Sequence, residues 1–318
     1  MRSALPPNFS IIIPLAIVIC ACSSPGRRGD LNRADKSGQT VLNVRLVESY
    51  GPSLGSGIVL MEPTGAVYNE LGELFISDKF TNGVYRLSAD YRVISNEGGI
   101  GTVPGSFNRP GGLAGDPALN LYVADSGNRR IQILDRNLRH VRSIKSYFDD
   151  SDNPVNFYQP EDIGIDREGN FWIADNDKVL KLDPFYELLL EMSYDAPGNF
   201  RIGRVSSIDI SDNDLVAIAD PGNRQIIITT IHGNYVNEFS AGKPLCARWD
   251  SFGLLWVADA SAGRIEAYDV SGNMIYRHIE SVSGFKPSWI TFDSSDRMVV
   301  LDSGQRQVLV YKVIRRVL

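Results

Sequence analysis

With 318 residues, 43% of them apolar, 29 Gly, 16 Pro and no low-complexity tract, the chain has the composition of a globular protein of one large all-β domain or two ordinary ones. A formal net charge of −6 argues against a nucleic-acid surface, which needs a concentrated basic field to displace counterions from phosphates. Isolated basic runs such as "RNLRHVRSIK" (136–145) read as solvated outer strands.

In chain order, "MRSALPPNFSIIIPLAIVICACSS" sets one Arg before an apolar run too short to span a bilayer, with small residues after it, the pattern of a secretory signal. The end of that run, "ICAC", resembles the lipobox of bacterial lipoproteins, with Ile19 at −3, Ala21 at −1 and then Cys22. The resemblance implies cleavage before Cys22, diacylglyceryl attachment to its thiol and acylation of the new amino group. Two or three chains make such an anchor stable, at about 0.8 kcal/mol per buried methylene. The expected plan is a signal peptide over 1–21, a flexible tether over 22–39 and a folded body over 40–318. Ser23, in place of Asp, goes with the outer membrane in Gram-negative lipoproteins, so the expected location is the bacterial cell envelope, facing the periplasm. The membrane would then be a partner through the lipid. An ordinary cleaved signal peptide is the competing reading. Cys20 leaves with the signal and Cys22 carries lipid, so Cys246 remains alone and no internal disulfide forms.

Beyond the tether, the chain repeats. Asp78, Asp125, Asp175, Asp220, Asp259 and Asp302 each end an apolar run and follow one another at intervals of 39 to 50 residues, the spacing of a four-stranded propeller blade. Fifteen residues before them stand Pro63, Pro110, Pro160, Val205, Pro244 and Pro287; nine before stand Asn69, Asp116, Asp166, Ser211, Asp250 and Asp293. The runs themselves, "LFIS", "LYVA", "FWIA", "VAIA", "LWVA" and "VVL", are apolar throughout, as strands are when both faces are buried. Turn residues and a further strand follow each Asp, as in "DSGNRRIQILD" (125–135), and then a more polar strand such as "LRHVRSI". Asp125 is expected to cap its turn by accepting backbone amides.

"FNRPGGLAGDPALNLYVADSGNRRIQILD" (107–135) resembles an NHL repeat. The likeness extends from about residue 58 to the end in six units; the fourth lacks the Pro, and the third reads "DNDKVLKLD" with one residue fewer in its turn. The resemblance implies an all-β, six-bladed β-propeller of four-stranded blades. The last unit ends without turn residues to begin an outer strand, while "TVLNVRLVE" (40–48) precedes the first, so this N-terminal strand is predicted to close the sixth blade.

His140, His232 and His278 lie 12 to 19 residues after their repeat Asp, on outer strands or adjoining turns, away from the channel. Amidating-lyase propellers, which resemble this pattern, use channel His ligands, so this placement counts against that activity. Glu161, Asp162 and Asp209 are acids at the inner strands, where lactonase-type propellers hold calcium. A pair between Asp209 and Arg248 of the next blade is the competing reading and is preferred, so no cofactor is expected. "FDDSDNPVN" (148–156) lacks the Gly and closing Glu of a calcium loop and reads as a solvated turn; Cys246, in "PLCARW", reads as a buried thiol. What remains is a face formed by the loops entering the inner strands and the turns after the repeat Asp. It is expected to display Asn108, Arg109, Asn128, Arg129, Tyr158, Gln159, Arg204, Arg224, Lys286 and Arg306, with Phe107, Arg201, Asn223 and Phe285 beside them. Aromatics with Arg and amides suit a protein or an anionic ligand. The expected function is therefore a lipid-anchored binding or scaffold module without catalytic activity of its own, with a protein or small-ligand partner and no nucleic acid. The alternative is a propeller enzyme, lactonase- or lyase-type, with a channel site.

Overall fold

The computed structural model describes residues 39–54, 58–194, 201–279 and 283–317; the signal segment, Cys22 and the tether up to residue 38 lie outside the described residues. Those described form six four-stranded sheets and one two-stranded hairpin. The innermost strands are Pro63–Tyr68, Pro110–Gly115, Pro160–Ile165, Ser207–Ile210, Cys246–Trp249 and Pro287–Phe292. Each packs against the next and the last against the first, so the sheets stand as six blades around a central channel. This is the six-bladed propeller that the repeat spacing predicts.

The second blade shows why the sequence reads as it does. Its strands run outward in order, Pro110–Gly115, Leu121–Asp125, Arg130–Leu134 and His140–Ile144. Every residue of the second and third strands is buried, because flanking blades cover both faces, and this produces the unbroken apolar run. Exposure begins on the fourth strand, where polar residues appear. Gln39–Tyr50 pairs antiparallel with Gln307–Val317 and forms the outermost strand of the sixth blade. The two ends of the chain thus close the ring together, as expected, and cover an edge that would otherwise template pairing with another chain.

The register residues form stitches between blades. Proline is tolerated at the first residue of a strand, where no ladder amide is required. Its carbonyl here accepts a hydroxyl from the neighbouring blade: Thr64 to Pro110 at 3.0 Å, Ser126 to Pro160 at 2.6 Å, Ser206 to Pro244 at 3.2 Å and Ser288 to Pro63 at 2.7 Å. The residues nine before each repeat Asp turn the chain into the second strand. Asp250 Oδ1, for example, accepts the amides of Phe252 and Leu254, both at 2.9 Å. Asn69, Asp116, Asp166, Ser211 and Asp293 do the same in their blades. The segment read as a solvated turn is a short hairpin, Ser146–Phe148 against Pro154–Asn156, closed by Asp149 accepting the amides of Ser151 and Asn153.

Candidate functional site

Each repeat Asp reaches back about sixteen residues to the loop that enters its own inner strand. Asp78 accepts the amides of Met61 and Glu62, Asp175 those of Tyr158 and Gln159, and Asp125, Asp220, Asp259 and Asp302 those of Asn108, Gly203, Lys243 and Lys286. Two sets of loops are thereby fastened together on one face, here called upper, where the inner strands begin. Asp78, Asp220, Asp259 and Asp302 also accept amides of the turn that follows them. Asp125 does not, contrary to expectation. Its second oxygen is taken by Arg130 Nε at 2.7 Å, Asn128 Nδ2 at 2.9 Å and Gln132 Nε2 at 3.1 Å.

The two arginines of "DSGNRR" therefore separate. Arg130 is buried and also donates to the carbonyls of Thr102 and Ser106, so it is structural. Arg129 is exposed and has φ of 54°, and the equivalent turn positions Asn82, Arg224, Gly263 and Arg306 have φ between 53° and 61°; the shorter third turn places Asn176 at 59° directly after its Asp. A left-handed backbone costs a side-chain-bearing residue about 1 kcal/mol or more, so one copy being Gly and another Asn fits the geometry.

The predicted face residues divide into three groups. Asn128 is structural, donating to Gly101 O and Asp125, and Asn108 packs against Gly127 with its amide held by Asp125. Phe107 and Phe285, expected on the face, are buried beneath it, because apolar rings at these loop positions pack into the blade interfaces. Arg109, Arg129, Tyr158, Arg204, Arg224, Lys286 and Arg306 are exposed. Within this group Arg129 lies over the Tyr158 ring at 5.4 Å. Arg109 donates its amide to Asn82, and Arg224 reaches Gly242 O at 3.4 Å.

Arg204 and Gln159 converge on the channel. Glu161 Oε1 accepts from Arg204 Nη2 at 2.9 Å and from Gln159 Nε2 at 2.6 Å, and Glu161 Oε2 pairs with Lys79 Nζ at 3.0 Å. Burial alone would raise the Glu161 carboxyl, but the charges of Lys79 and Arg204 carry it below its ordinary value and keep it ionised. These residues, with Lys243, Thr64, Ser206, Ser288 and Trp289, line an upper-mouth cavity of about 430 Å³. Two cations thus hold this carboxylate, and Lys243 adds a third to the lining. Lys79 escapes a search for motifs because no other unit has a base directly after its repeat Asp, whereas Lys243 stands sixteen before its Asp in register with Arg204 and Lys286 and could have been found by that signal.

Below this cavity the channel is closed. Arg248 Nη2 pairs with the fully buried Asp162 at 3.0 Å, Arg248 Nη1 donates to Ile208 O at 3.0 Å, and its guanidinium stacks on Trp289 at 4.2 Å. Asp162 also accepts the amides of Ile163 and Ile208. The expected partner, Asp209, stands 4.0 Å from Arg248 Nε, so the principal pair is with Asp162 of the third blade rather than with the register neighbour. The reason is space: Gly112 leaves the channel free where a Cβ would overlap the Asp162 carboxylate. Burial pushes the Asp209 carboxyl up to about 6 and the Cys246 thiol to about 11, the latter leaving a thiol rather than a thiolate at neutral pH. With Glu161 and Asp162 held by cations, the acids weighed for calcium are not a fitting cage, and among the described residues no three His, Cys, Asp or Glu form a metal-ligand group. His140 and His278 lie on outer strands and His232 in an outer turn, as the spacing predicts.

Comparison with known proteins bears on this geometry. The NHL repeat family matches residues 107–134. That match spans the first three strands of the second blade. NHL repeat-containing protein 3 of Homo sapiens is 34% identical over 77 residues, 23% of this chain and 22% of that protein. A probable peptidyl-alpha-hydroxyglycine alpha-amidating lyase of Caenorhabditis elegans is 25% identical over 130 residues, 38% of this chain and 37% of that protein. The chain thus spans well under half the length of these curated relatives. Among solved structures, virginiamycin B lyase from Staphylococcus aureus superposes with a TM-score of 0.59 at 13% identity over 86% of this chain and 89% of the other. A streptogramin B lyase does so with 0.57 at 14%, over 78% of each. This propeller therefore shares its fold with lyases and a stretch of sequence with a probable amidating lyase. The expectation of a chain without catalytic activity is corrected by these likenesses: histidines placed outside the channel count only against chemistry that needs them there.

Proposed function

We propose that the protein is a ligand-binding propeller that receives a small anionic ligand at the upper mouth of its channel. The observation that carries this reading is the excess of cations, Lys79, Arg204 and Lys243, over the single carboxylate of Glu161 around the 430 Å³ cavity. The Trp289 ring supplies an apolar contact of the kind that fixes orientation in small-molecule sites, while the hydroxyls of Thr64, Ser206 and Ser288 stay committed to the proline carbonyls. Arg129 on Tyr158, with Arg109 and Arg306, extends the basic surface outward for a protein partner. The test is calorimetric titration with a panel of small carboxylates and phosphates. Binding by the native protein that is lost in Lys79→Ala/Arg204→Ala supports the reading; no binding, or binding indifferent to these changes, overturns it.

A lyase acting in the same cavity is a second reading, supported by the relatives named as lyases. An ionised Glu161 beside two cations is a group able to accept a proton while the cations hold developing negative charge. Incubation with a peptidyl-α-hydroxyglycine and with a streptogramin B, read by mass spectrometry, decides it; no product from either removes this reading.

We further infer, from the "ICAC" motif after the apolar run, that Cys22 carries a lipid and tethers the propeller to a bacterial envelope membrane. Cys22→Ser should abolish labelling with palmitate and release or misprocess the protein. Membrane retention of a processed Cys22→Ser protein would refute the anchor.

A further inference from the structure

The lower end of the channel holds a second cavity that the upper-mouth reading leaves unused. It measures about 280 Å³ and is lined by residues at the ends of all six inner strands, among them Ile163, Ile165, Ile208 and Ile210 with Phe292 and Trp249, so that aliphatic side chains alternate with polar groups along its wall. One carboxylate, Asp209, opens into this chamber. Asp209 Oδ2 accepts the Trp249 amide at 2.7 Å, while Oδ1 stands 4.0 Å from Arg248 Nε, beyond hydrogen-bond distance. Arg248 directs its other nitrogens to Asp162 and to main-chain carbonyls. Two carboxylates thus face one guanidinium, leaving the lower end with an excess negative charge. In addition, the buried indole N–H of Trp249 has no hydrogen-bond partner among the described residues, an uncommon state for a native donor.

We propose that this lower cavity is a binding site for a small monocationic amine with an apolar body, its ammonium seated on Asp209 and its hydrocarbon part among the aliphatic wall. The volume lies near the lower limit of small-molecule pockets, so the ligand is of the size of a single aromatic ring on a short alkyl chain. Phe292 and Trp249 offer ring faces suited to a cation at the entrance. The Arg248–Asp162–Trp289 plug separates this chamber from the upper mouth, so the two sites select opposite charges within one channel.

The charged groups set around Asp209 are Arg248 and, behind it, Asp162; the main-chain amide of Trp249 completes its polar contacts. An ammonium is charged below about pH 10 and the Asp209 carboxylate is ionised above about 6, so binding should hold between these limits and weaken as pH falls through 6. The experiment is titration of the native protein with phenethylammonium and, as a neutral match, 2-phenylethanol. Phenethylammonium is expected to bind at least about tenfold more tightly than the alcohol, and Asp209→Asn to lose at least about tenfold. Gly115→Leu supplies a variant that leaves the carboxylate intact: a Cβ there has nothing nearer than 4.0 Å, and the added side chain fills the mouth, so binding should again be lost. Arg204→Ala, at the other mouth, should bind the amine as the native protein does, which separates this site from the upper one. Absence of amine binding, equal affinity for the alcohol, or undiminished binding in folded Asp209→Asn or Gly115→Leu each overturns the proposal.

Discussion

The two mouths of the channel are built from the two ends of the same six strands and differ in every chemical respect. The upper mouth holds Glu161 between Lys79 and Arg204 with Lys243 also in its lining, while the lower sets Asp209 beside Arg248. Charge at the upper mouth comes mostly from loops pinned down by the repeat Asp; charge at the lower mouth comes from the strands themselves. Loops can exchange residues without disturbing the ladder, whereas an ionised group on a buried strand requires a partner, and Arg248 answers Asp162 for that reason. The lesson is that a near-symmetric repeat makes an asymmetric channel wherever one register position departs from its copies.

The plug between the mouths is the strongest place to break this contrast. Arg248→Met leaves Asp162 buried without its cation and should cost about 3–5 kcal/mol in urea unfolding, with added Asp162→Asn restoring much of it. A loss below about 1 kcal/mol would mean that the pair does not hold the channel shut. Next is Asp209, whose carboxyl lies near 6 rather than its ordinary 3.8 because burial opposes its charge. A raised carboxyl contributes stability that is complete below about pH 4 and lost as pH rises through 6. Asp209→Asn should therefore unfold with about 2–3 kcal/mol more stability than the native protein at pH 7, and with no advantage at pH 3.5. An advantage that does not change with pH would contradict the assignment.

The upper mouth should respond less and with the opposite sign. The Glu161 carboxyl is held below its ordinary value, so its contribution is present above about pH 4.5 and lost as pH falls through the lowered value. Glu161→Gln should cost about 1 kcal/mol at pH 7, a modest figure because Arg204 is 61% exposed, and should tighten anion binding. Thermal melting at pH 7 and pH 3 and a parallel titration check both effects; weaker anion binding would count against the upper site. Smallest of all, Arg224→Gly and Arg306→Gly relieve left-handed backbone and should leave stability within about 0.5 kcal/mol of native or slightly above it. A large loss in either would show that these side chains hold the turn rather than merely extend from it.

How much of this was legible beforehand differs between fold and site. Blade number, the closing N-terminal strand and the two loop sets sharing a face all follow from the register of Asp, Pro and apolar runs, because those residues perform local tasks that repeat: turn capping, strand starts and two-sided burial. Exposure within a motif was not legible. "NRR" does not distinguish Arg129, held outward at positive φ, from Arg130, folded back onto Asp125, nor does it reveal that Phe107 lies beneath the face rather than on it. Register suggested Asp209 as the partner of Arg248, and the ring chose Asp162 through the room left by Gly112.

The sequence by itself thus determined an all-β propeller of six units and the position of every repeat Asp, since these depend on hydrogen bonds and burial within one unit or between consecutive ones. Only the tertiary structure decided which charges meet. Lys79 and Glu161 are 82 residues apart, and Asp162 and Arg248 are 86 apart. Closing six blades into a ring brings such residues across one narrow channel, where low polarity makes each unmatched charge costly and so fixes both the plug and the opposed character of the two mouths.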